Sequence, residues 1–329
     1  MKTRQIPDNI YDIIIIGGGP AGFTAGQYAA RAVLKVLLIG GSSTFSQVTV
    51  TDLVENYPGF PEPINGAELH NRFKEQATKF GLEITSEDVT SITKKQLGGM
   101  NGWEVKTNSN THHSLSVIIA TGASWSKLDI PGEETFIGRG VSYCATCDGP
   151  FYKDRDVVVV GGGDAAVEEA IYLTKFARKV TIIHRRDRLR AAGILRKRAL
   201  ANNRIYFAYN SVPEEVLGDN FVTGVRIRNV KKPDDYRVIK TEGVFVFIGL
   251  VPGTNIVRGL VDLDNSGYII TDRDMKTSGS GIFACGDCIK KLFRQIVTAC
   301  GDGATAAFSA QLYVEELKGE TYGDFGYQP

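Results

Sequence analysis

Two segments of the chain share one order of apolar and polar positions: an apolar run, a glycine-rich turn, an alanine-rich stretch and a second apolar run. The first segment extends over residues 13–39 and the second over residues 157–183. Short continuous apolar runs are typical of strands that are buried on both faces of a parallel sheet. The pattern therefore predicts two copies of a β-α-β unit.

The boundaries of the predicted elements follow from the same pattern. The two copies give strands over residues 11–16, 36–39, 156–160 and 180–183 and helices over residues 20–32 and 165–176. Three later runs predict short buried strands ending in glycine, residues 117–122, 243–249 and 281–287, before a final helix over residues 298–317. In open α/β sheets such strand ends border the ligand crevice.

Length and composition agree with a globular protein of two domains. The chain has 329 residues, of which 43% are apolar and 23% charged. It has no apolar run long enough to span a membrane and no apolar signal region in the first ten residues, so we expect a cytoplasmic protein. The formal net charge of +1 gives no reason to expect nucleic acid or a membrane as a partner. However, nine basic residues and one acidic residue lie between positions 178 and 198, where we expect an anionic ligand.

The first glycine-rich turn has the spacing G-x-G-x-x-G between a predicted strand and a predicted helix. Its residues are Gly17, Gly18, Gly19, Pro20, Ala21 and Gly22. This context is typical of a dinucleotide site with the pyrophosphate at the helix N-terminus. The acidic residue that usually binds the ribose of NAD about 20 residues later is missing, because residues 39–42 read Ile-Gly-Gly-Ser. An ordinary NAD site is therefore disfavoured, and a turn without a ligand is the alternative.

The second glycine-rich turn repeats the signature with alanine in the third glycine position. It contains Gly161, Gly163, Asp164 and Ala165, and the position of the ribose acid holds His184, Arg185 and Arg186, with Arg190 nearby. Arginine there suits the 2′-phosphate of NADP(H). A solvated basic face is the alternative, above all for residues 196–198, and a nucleic-acid patch would lack aromatic residues beside it.

Four of the five cysteines form two C-x-x-C pairs. Cys144 and Cys147 lie in a turn-rich stretch and can alternate between dithiol and disulfide, with Asp148 as a proton carrier. Structural zinc and a passive disulfide are alternatives, although the four histidines complete no obvious zinc site, and we predict no metal. Cys285 and Cys288 are predicted to be buried small thiols in a tight turn, and Cys300 a core residue of the last helix.

Four motifs together resemble the low-molecular-weight thioredoxin reductases, flavoproteins of the pyridine nucleotide-disulfide oxidoreductase class. They are residues 54–59, residues 144–149, residues 184–190, and Arg294 with Gln295 after Gly286 and Asp287. The resemblance extends from residue 13 to about residue 310. It implies an α/β fold of two Rossmann-like dinucleotide-binding domains. The FAD domain would be discontinuous, residues 1–122 and 251–329, with an NADPH domain that carries the C-x-x-C inserted as residues 123–250.

The resemblance also implies the residues of each site. FAD would be bound by the first glycine turn and by Gln47, Asn56, Val89, Gly286, Asp287, Arg294, Gln295 and Ile296. NADPH would be bound by the second turn and the basic cluster. Electrons would pass from NADPH through FAD to the Cys144–Cys147 disulfide, with Cys147 nearer the flavin, and then to thioredoxin or a thioredoxin-like protein. A homodimer is also implied.

Two other functions stay open from the sequence. An NAD(P)H oxidase, or a reductase of another dithiol protein, would use the same two nucleotide folds. A flavin-bound redox sensor without turnover would need neither a fast acceptor nor an active dithiol. The aromatic tail, residues 322–329, is interpreted as a frayed end, with a cover over the flavin as the alternative.

Overall fold

The computed structural model describes residues 9–42, 46–51 and 54–319, so the predicted tail over residues 322–329 lies outside the described residues. Contacts divide the chain into two compact units. Unit 1 comprises Met1–Ser124 and Pro252–Pro329, and unit 2 comprises Trp125–Val251. The sequence placed the division after residues 122 and 250. Which unit binds which nucleotide stays a prediction.

The described parts of the chain contain seventeen strands and six α-helices. The strands are β1 (Ile10–Ile16), β2 (Val36–Gly40), β3 (Glu83–Ser86), β4 (Val89–Leu97), β5 (Met100–Thr107), β6 (Thr111–Ile119), β7 (Ala123–Trp125), β8 (Val141–Ser142), β9 (Asp156–Gly161), β10 (Lys179–Ile183), β11 (Ile205–Ala208), β12 (Ser211–Gly218), β13 (Val222–Asn229), β14 (Lys232–Lys240), β15 (Gly243–Phe247), β16 (Leu250–Pro252) and β17 (Ile282–Ala284). The helices are α1 (Pro20–Arg31), α2 (Gly66–Thr78), α3 (Ala145–Asp148), α4 (Asp164–Leu173), α5 (Gly193–Ala201) and α6 (Ile296–Lys318).

Unit 1 is built on a seven-stranded sheet in the order β3-β2-β1-β6-β5-β4, with β17 also paired to β6. Strands β3, β2, β1, β6 and β17 run parallel, and β5 and β4 are antiparallel additions. The last residues of β6 pair with β17, and its first residues pair with β5. Strand β17 therefore brings a late part of the chain beside the first glycine turn.

Strand β1 shows why the sequence gives a parallel sheet here. Ile13 and Ile15 belong to the apolar cluster that includes α1, α2 and α6, whereas Ile14 and Ile16 belong to the cluster on the opposite face. All four side chains are at most 4% exposed. A continuous apolar run is needed because both faces of the strand are covered.

Unit 2 has a five-stranded parallel sheet in the order β11-β10-β9-β15-β8 and a three-stranded antiparallel sheet, β12-β13-β14. Val157 and Val159 face the cluster that contains α4 and α5. Val158 and Val160 face the cluster that contains Val225 of the antiparallel sheet. The two units confirm the predicted α/β class with two Rossmann-like folds.

Two helix boundaries differ from the prediction, and side-chain hydrogen bonds accompany each of them. Helix α4 ends at Leu173 rather than at residue 176, where the Arg204 guanidinium donates to the carbonyls of Thr174 (2.9 Å) and Ala177 (3.3 Å). Helix α6 begins at Ile296, two residues early, because Gln295 and Thr298 form a reciprocal capping box. Among the described residues, no helix combines the length and apolar character that crossing a membrane requires.

Candidate functional site

The first glycine turn, between β1 and α1, can only be made with glycine at two positions. Gly17 has φ of +121°, and a Cβ there would lie 2.1 Å from the carbonyl oxygen of Ala120. A Cβ on Gly22 would lie 1.9 Å from the carbonyl oxygen of Gly17. Helix α1 begins at Pro20 without a side-chain cap on Gly19. Its first N–H groups are therefore available to an anion such as a pyrophosphate.

A second turn from the C-terminal part of the chain packs on this first turn. A Cβ on Gly286, directly after β17, would lie 2.8 Å from the Cβ of Ala21, and one on Gly303 of α6 would lie 2.3 Å from the Ala21 carbonyl oxygen. Ala21 and Gly286 were both predicted to contact FAD. The structure brings them together across 265 positions of sequence, so a crevice forms where β1, β6 and β17 end.

Asp287 carries the carboxylate of this crevice. Its side chain is 25% exposed, and Oδ1 has no hydrogen-bond partner among the described residues. Burial raises the pKa of Asp287, against the positive charges of Lys291 and Arg294, which lower it. Lys291 Nζ forms an ion pair with Oδ1 at 3.5 Å but no hydrogen bond, so this oxygen can still accept one, and the ribityl hydroxyls of a flavin nucleotide supply such donors.

Several of the other predicted FAD residues are in contact with one another near the start of α6. Asn56 Nδ2 donates to Gln295 Oε1 (2.8 Å), next to Ile296 at the start of α6. The Arg294 guanidinium lies 4.1 Å from the Tyr268 ring centroid and donates to the Asp287 carbonyl (3.3 Å).

Gln47 and Val89 are anchored separately. Gln47 was predicted to bind FAD, but its Nε2 donates a hydrogen bond to the backbone carbonyl of Ala123 (2.6 Å). Val89 follows Asp88, whose carboxylate accepts hydrogen bonds from the N–H (3.0 Å) and hydroxyl of Ser42. These bonds place the start of β4 beside the end of β2, where the ribose acid of an NAD site would stand.

The second glycine turn, between β9 and α4, is packed directly against His184. A Cβ on Gly162 would lie 2.3 Å from His184 Nδ1, and the Arg190 N–H donates to the Gly162 carbonyl (2.7 Å). Asp164 Oδ1 accepts from the N–H of Ala192 (2.7 Å). The turn with Gly161, Gly163 and Ala165 is therefore tied at two points to the segment that carries the arginines.

His184 itself is buried and uncharged. Its side chain is 5% exposed, and Nε2 has no hydrogen-bond partner among the described residues. Burial, and then the positive charge of Arg190, lower the pKa of His184 below its ordinary value of 6.5. The imidazole is therefore neutral at pH 7, and the positive charge of the segment comes from the arginines alone.

Three guanidinium groups stand free beside this turn. Arg185, Arg186 and Arg190 are exposed, and within the described ranges their side chains make no ion pair or hydrogen bond. By contrast, the guanidinium of Arg178 donates to Asp156 (2.9 Å). Unneutralised arginines at the end of β10 suit a phosphate group, which they bind with paired hydrogen bonds.

Cys144 and Cys147 form a disulfide, with their Cα atoms 5.3 Å apart. Cys144 is the N-cap of the short helix α3, and its sulfur accepts from the N–H of Cys147 (3.1 Å). Cys144 is half-buried, whereas Cys147 is exposed and adjoins Asp148, the last residue of α3. Cys147 is therefore the more exposed cysteine of the pair, and a carboxylate residue follows it in sequence.

The remaining cysteines are free thiols. Cys285 and Cys288 are completely buried and Cys300 is 9% exposed, which confirms the prediction of small buried residues. Burial raises the pKa of Cys288 to about 11 and also raises those of Cys285 and Cys300. They are protonated at neutral pH and therefore poor nucleophiles.

Glu133 is a residue of the disulfide region that the sequence did not reveal. It is 1% exposed, and its carboxylate accepts from the N–H groups of Leu128 and Asp129 and from the hydroxyl of Tyr143, each at 2.7 Å. Tyr143 directly precedes Cys144. Burial, and then the Glu133 hydrogen bond, raise the pKa of Tyr143. Glu133 therefore fixes the segment that leads into the disulfide.

Replacing Glu133 with glutamine is expected to destabilise unit 2 by about 2 kcal/mol, because an amide N–H₂ would face backbone N–H donors in a buried site. The measurement is urea unfolding monitored by near-ultraviolet circular dichroism. Glu134→Gln is the matched control, because the Glu134 side chain is 78% exposed and forms an ion pair with Lys127 at the surface. Equal unfolding midpoints for the two variants would contradict the role of Glu133.

Comparison with known proteins gives consistent matches. A family model described as pyridine nucleotide-disulphide oxidoreductase matches residues 11–303. The chain is 45% identical over 308 residues to a thioredoxin reductase of Treponema pallidum, covering 94% of this chain and 98% of that protein. It is 47% identical over 315 residues to a thioredoxin reductase of Bacillus subtilis, covering 94% and 97%. The solved structure of Lactococcus lactis thioredoxin reductase superposes with a TM-score of 0.89 at 45% identity, covering 93% of this chain and 99% of that one.

Proposed function

The chain belongs to the low-molecular-weight thioredoxin reductases of the pyridine nucleotide-disulphide oxidoreductase family, and from this membership we infer its reaction. It is an FAD-containing enzyme that uses NADPH to reduce the disulfide of thioredoxin. The observation that carries this assignment is the Cys144–Cys147 disulfide, of which Cys147 is an exposed residue, in the unit that also holds the second glycine turn.

Unit 1 is proposed to hold FAD, which transfers an electron pair between NADPH and a disulfide when it is bound. The first glycine turn would bind the pyrophosphate through backbone N–H groups at the start of α1. Asp287 Oδ1, which makes a 3.5 Å ion pair with Lys291 but no hydrogen bond among the described residues, would accept a hydrogen bond from the ribityl chain. The remaining contacts are proposed for Gln47, Asn56, Val89, Arg294, Gln295 and Ile296.

Unit 2 is proposed to bind NADPH. The N-terminus of α4 after Gly163 would bind the pyrophosphate, and Arg185, Arg186 and Arg190 would bind the 2′-phosphate. What supports this assignment is that these guanidinium groups have no carboxylate partner in the described ranges. His184 packs against Gly162 and would thereby hold the glycine turn in position relative to the arginines.

Thiol exchange then completes the reaction. When the Cys144–Cys147 bond is reduced, one thiolate attacks a thioredoxin sulfur, forming a mixed disulfide and releasing the other thioredoxin sulfur as a thiolate. The second cysteine attacks the mixed disulfide, which restores Cys144–Cys147 and frees dithiol thioredoxin. Asp148 is proposed to supply the proton that a departing thiolate takes up.

Two broader properties belong to the proposal, the compartment and the oligomeric state. Cys285, Cys288 and Cys300 are all unpaired thiols, which is typical of a reducing compartment and favours the cytoplasm. A homodimer is proposed from family membership, and the molar mass measured by light scattering would test it. Neither property alters the residues assigned to the reaction.

An anaerobic titration of the holoenzyme with NADPH tests the proposed function. The flavin spectrum is expected to show uptake of about two electron pairs per chain, one for FAD and one for the Cys144–Cys147 disulfide. The matched control is the variant with both cysteines replaced by serine, in which uptake should fall to about one pair. Uptake of one pair by the wild-type protein, together with rapid oxygen consumption in a separate aerobic assay with NADPH, would indicate an oxidase. Absence of flavin reduction would remove NADPH from the mechanism.

A further inference from the structure

Lys291 is a buried cation at the edge of the proposed FAD crevice. Its side chain is 12% exposed, and Nζ lies 2.8 Å from Asp302 Oδ2 and 3.5 Å from Asp287 Oδ1. Nζ also lies 3.4 Å from the hydroxyl of Thr298. Removing a lysine ammonium from water is costly unless carboxylates surround it. The neighbouring Lys290, by contrast, is exposed.

Asp302 connects this lysine to the turn that follows β17. Its Oδ2 atom accepts from Lys291 and also from the backbone N–H of Gly286 (3.3 Å). Asp302 lies in the second turn of α6 and is 17% exposed. One carboxylate therefore joins the Gly286–Asp287 turn, Lys291 and α6, three parts of the proposed FAD site.

The geometry points to Lys291 and Asp302 as positioning residues for FAD. We propose that Lys291 keeps the Asp287 carboxylate ionised, while Asp302 fixes the turn that carries it, so that Asp287 accepts a hydrogen bond from the ribityl chain. This inference rests on the proposed function, because it assumes that Asp287 faces FAD. It adds two residues that do not themselves have to touch the cofactor.

The charges around Asp287 determine the direction in which its pKa changes when Lys291 is replaced. Lys291 and Arg294 lower its pKa, whereas burial and the negative charge of Asp302 raise it. The other titratable group that interacts with it, Cys288, is a protonated thiol. Without Lys291, burial and Asp302 act against Arg294 alone, so the pKa of Asp287 rises further. A protonated carboxyl group cannot accept through the atom that holds the proton, so FAD binding weakens as the pH falls through this raised pKa.

The experiment measures the dissociation constant of FAD from reconstituted apoprotein by quenching of flavin fluorescence, between about pH 8 and about pH 6. In Lys291→Met the dissociation constant is expected to rise about tenfold or more over this interval. In wild type it is expected to rise less than about threefold. Lys290→Met is the matched control, because it removes the same charge one residue away, and it should follow wild type. Lys291→Arg keeps the charge and should also follow wild type.

The double variant Lys291→Met, Asp302→Asn separates a charge effect from a packing effect. The asparagine oxygen can still accept from the Gly286 N–H and so keep the turn in place. Because loss of the Asp302 charge lowers the pKa of Asp287 again, the double variant should bind FAD more tightly than Lys291→Met at about pH 6. Lys291→Gln is measured in parallel, because its amide can still bond Asp302, and it carries the test if Lys291→Met does not fold.

Two results would contradict the positioning role of Lys291, and a third would contradict the proposed function. A pH-independent loss of affinity that Asp302→Asn does not reverse would overturn the inference, as would Lys291 and Lys290 variants that behave alike. If wild-type apoprotein binds no FAD at any pH, the proposed function fails instead.

Discussion

Replacing Cys147 with serine is expected to lower the reduction of thioredoxin by NADPH at least about a thousandfold. The exchange cycle needs two sulfurs, one to form the mixed disulfide and one to resolve it, and a serine hydroxyl does neither. Reduction of bound FAD by NADPH should persist, because the nucleotide sites do not include this sulfur. The measurement pairs steady-state reduction of thioredoxin with anaerobic bleaching of the flavin spectrum.

Cys300→Ser is the control for the cysteine experiment, because it also exchanges one sulfur for a hydroxyl but at a free, buried thiol outside the proposed relay. It should retain turnover. If Cys147→Ser still reduced thioredoxin at a rate near that of wild type, the electron route through this disulfide would be wrong. If both activities disappeared together, the cysteine would be required for the holoenzyme to form rather than for exchange.

The double variant Arg185→Ala, Arg186→Ala is expected to lower kcat/KM for NADPH about a hundredfold. Both guanidinium groups are exposed and without a carboxylate partner in the described segments, so their hydrogen bonds are available to the 2′-phosphate. NADH lacks that phosphate, and its kcat/KM should change less than about threefold. The ratio of the two constants, measured at one ionic strength, is therefore the informative quantity.

The double variant Arg196→Ala, Lys197→Ala is the matched control for the arginine experiment. It removes the same number of positive charges from exposed positions of α5. A general electrostatic attraction for NADPH would weaken equally in both double variants and would be screened by salt. A specific phosphate site predicts that only the change at Arg185 and Arg186 alters the preference between NADPH and NADH.

The sequence predicted those elements whose causes are local. Continuous apolar runs identified β1 and β9 because both faces of each strand are covered, and the glycine spacing identified the two turns. The end of α4 could not be predicted, since the guanidinium that accompanies it comes from Arg204, about 30 residues later. The start of α6 depends on a glutamine N-cap, which is not among the residues usually preferred there.

The sequence likewise predicted some residues of the candidate site and missed others. Cys144, Cys147 and the arginines belong to motifs whose spacing is visible in the chain. Glu133, Lys291 and Asp302 belong to none, and charged residues in such segments are usually solvated. Their roles follow from burial and from partners such as Tyr143 and Gly286. His184 belongs to a motif, yet its neutral state follows from packing against Gly162, which the sequence did not indicate.

The division of unit 1 into two stretches of sequence determines when its nucleotide site can exist during synthesis. Unit 2 is one continuous stretch, Trp125–Val251, and is translated before the second part of unit 1. Strand β17 and helix α6, which complete the crevice beside Ala21, come last in the described chain. The proposed FAD site of unit 1 therefore cannot be complete before α6 has been translated. A nascent chain halted before α6 would carry all of unit 2 but an incomplete unit 1.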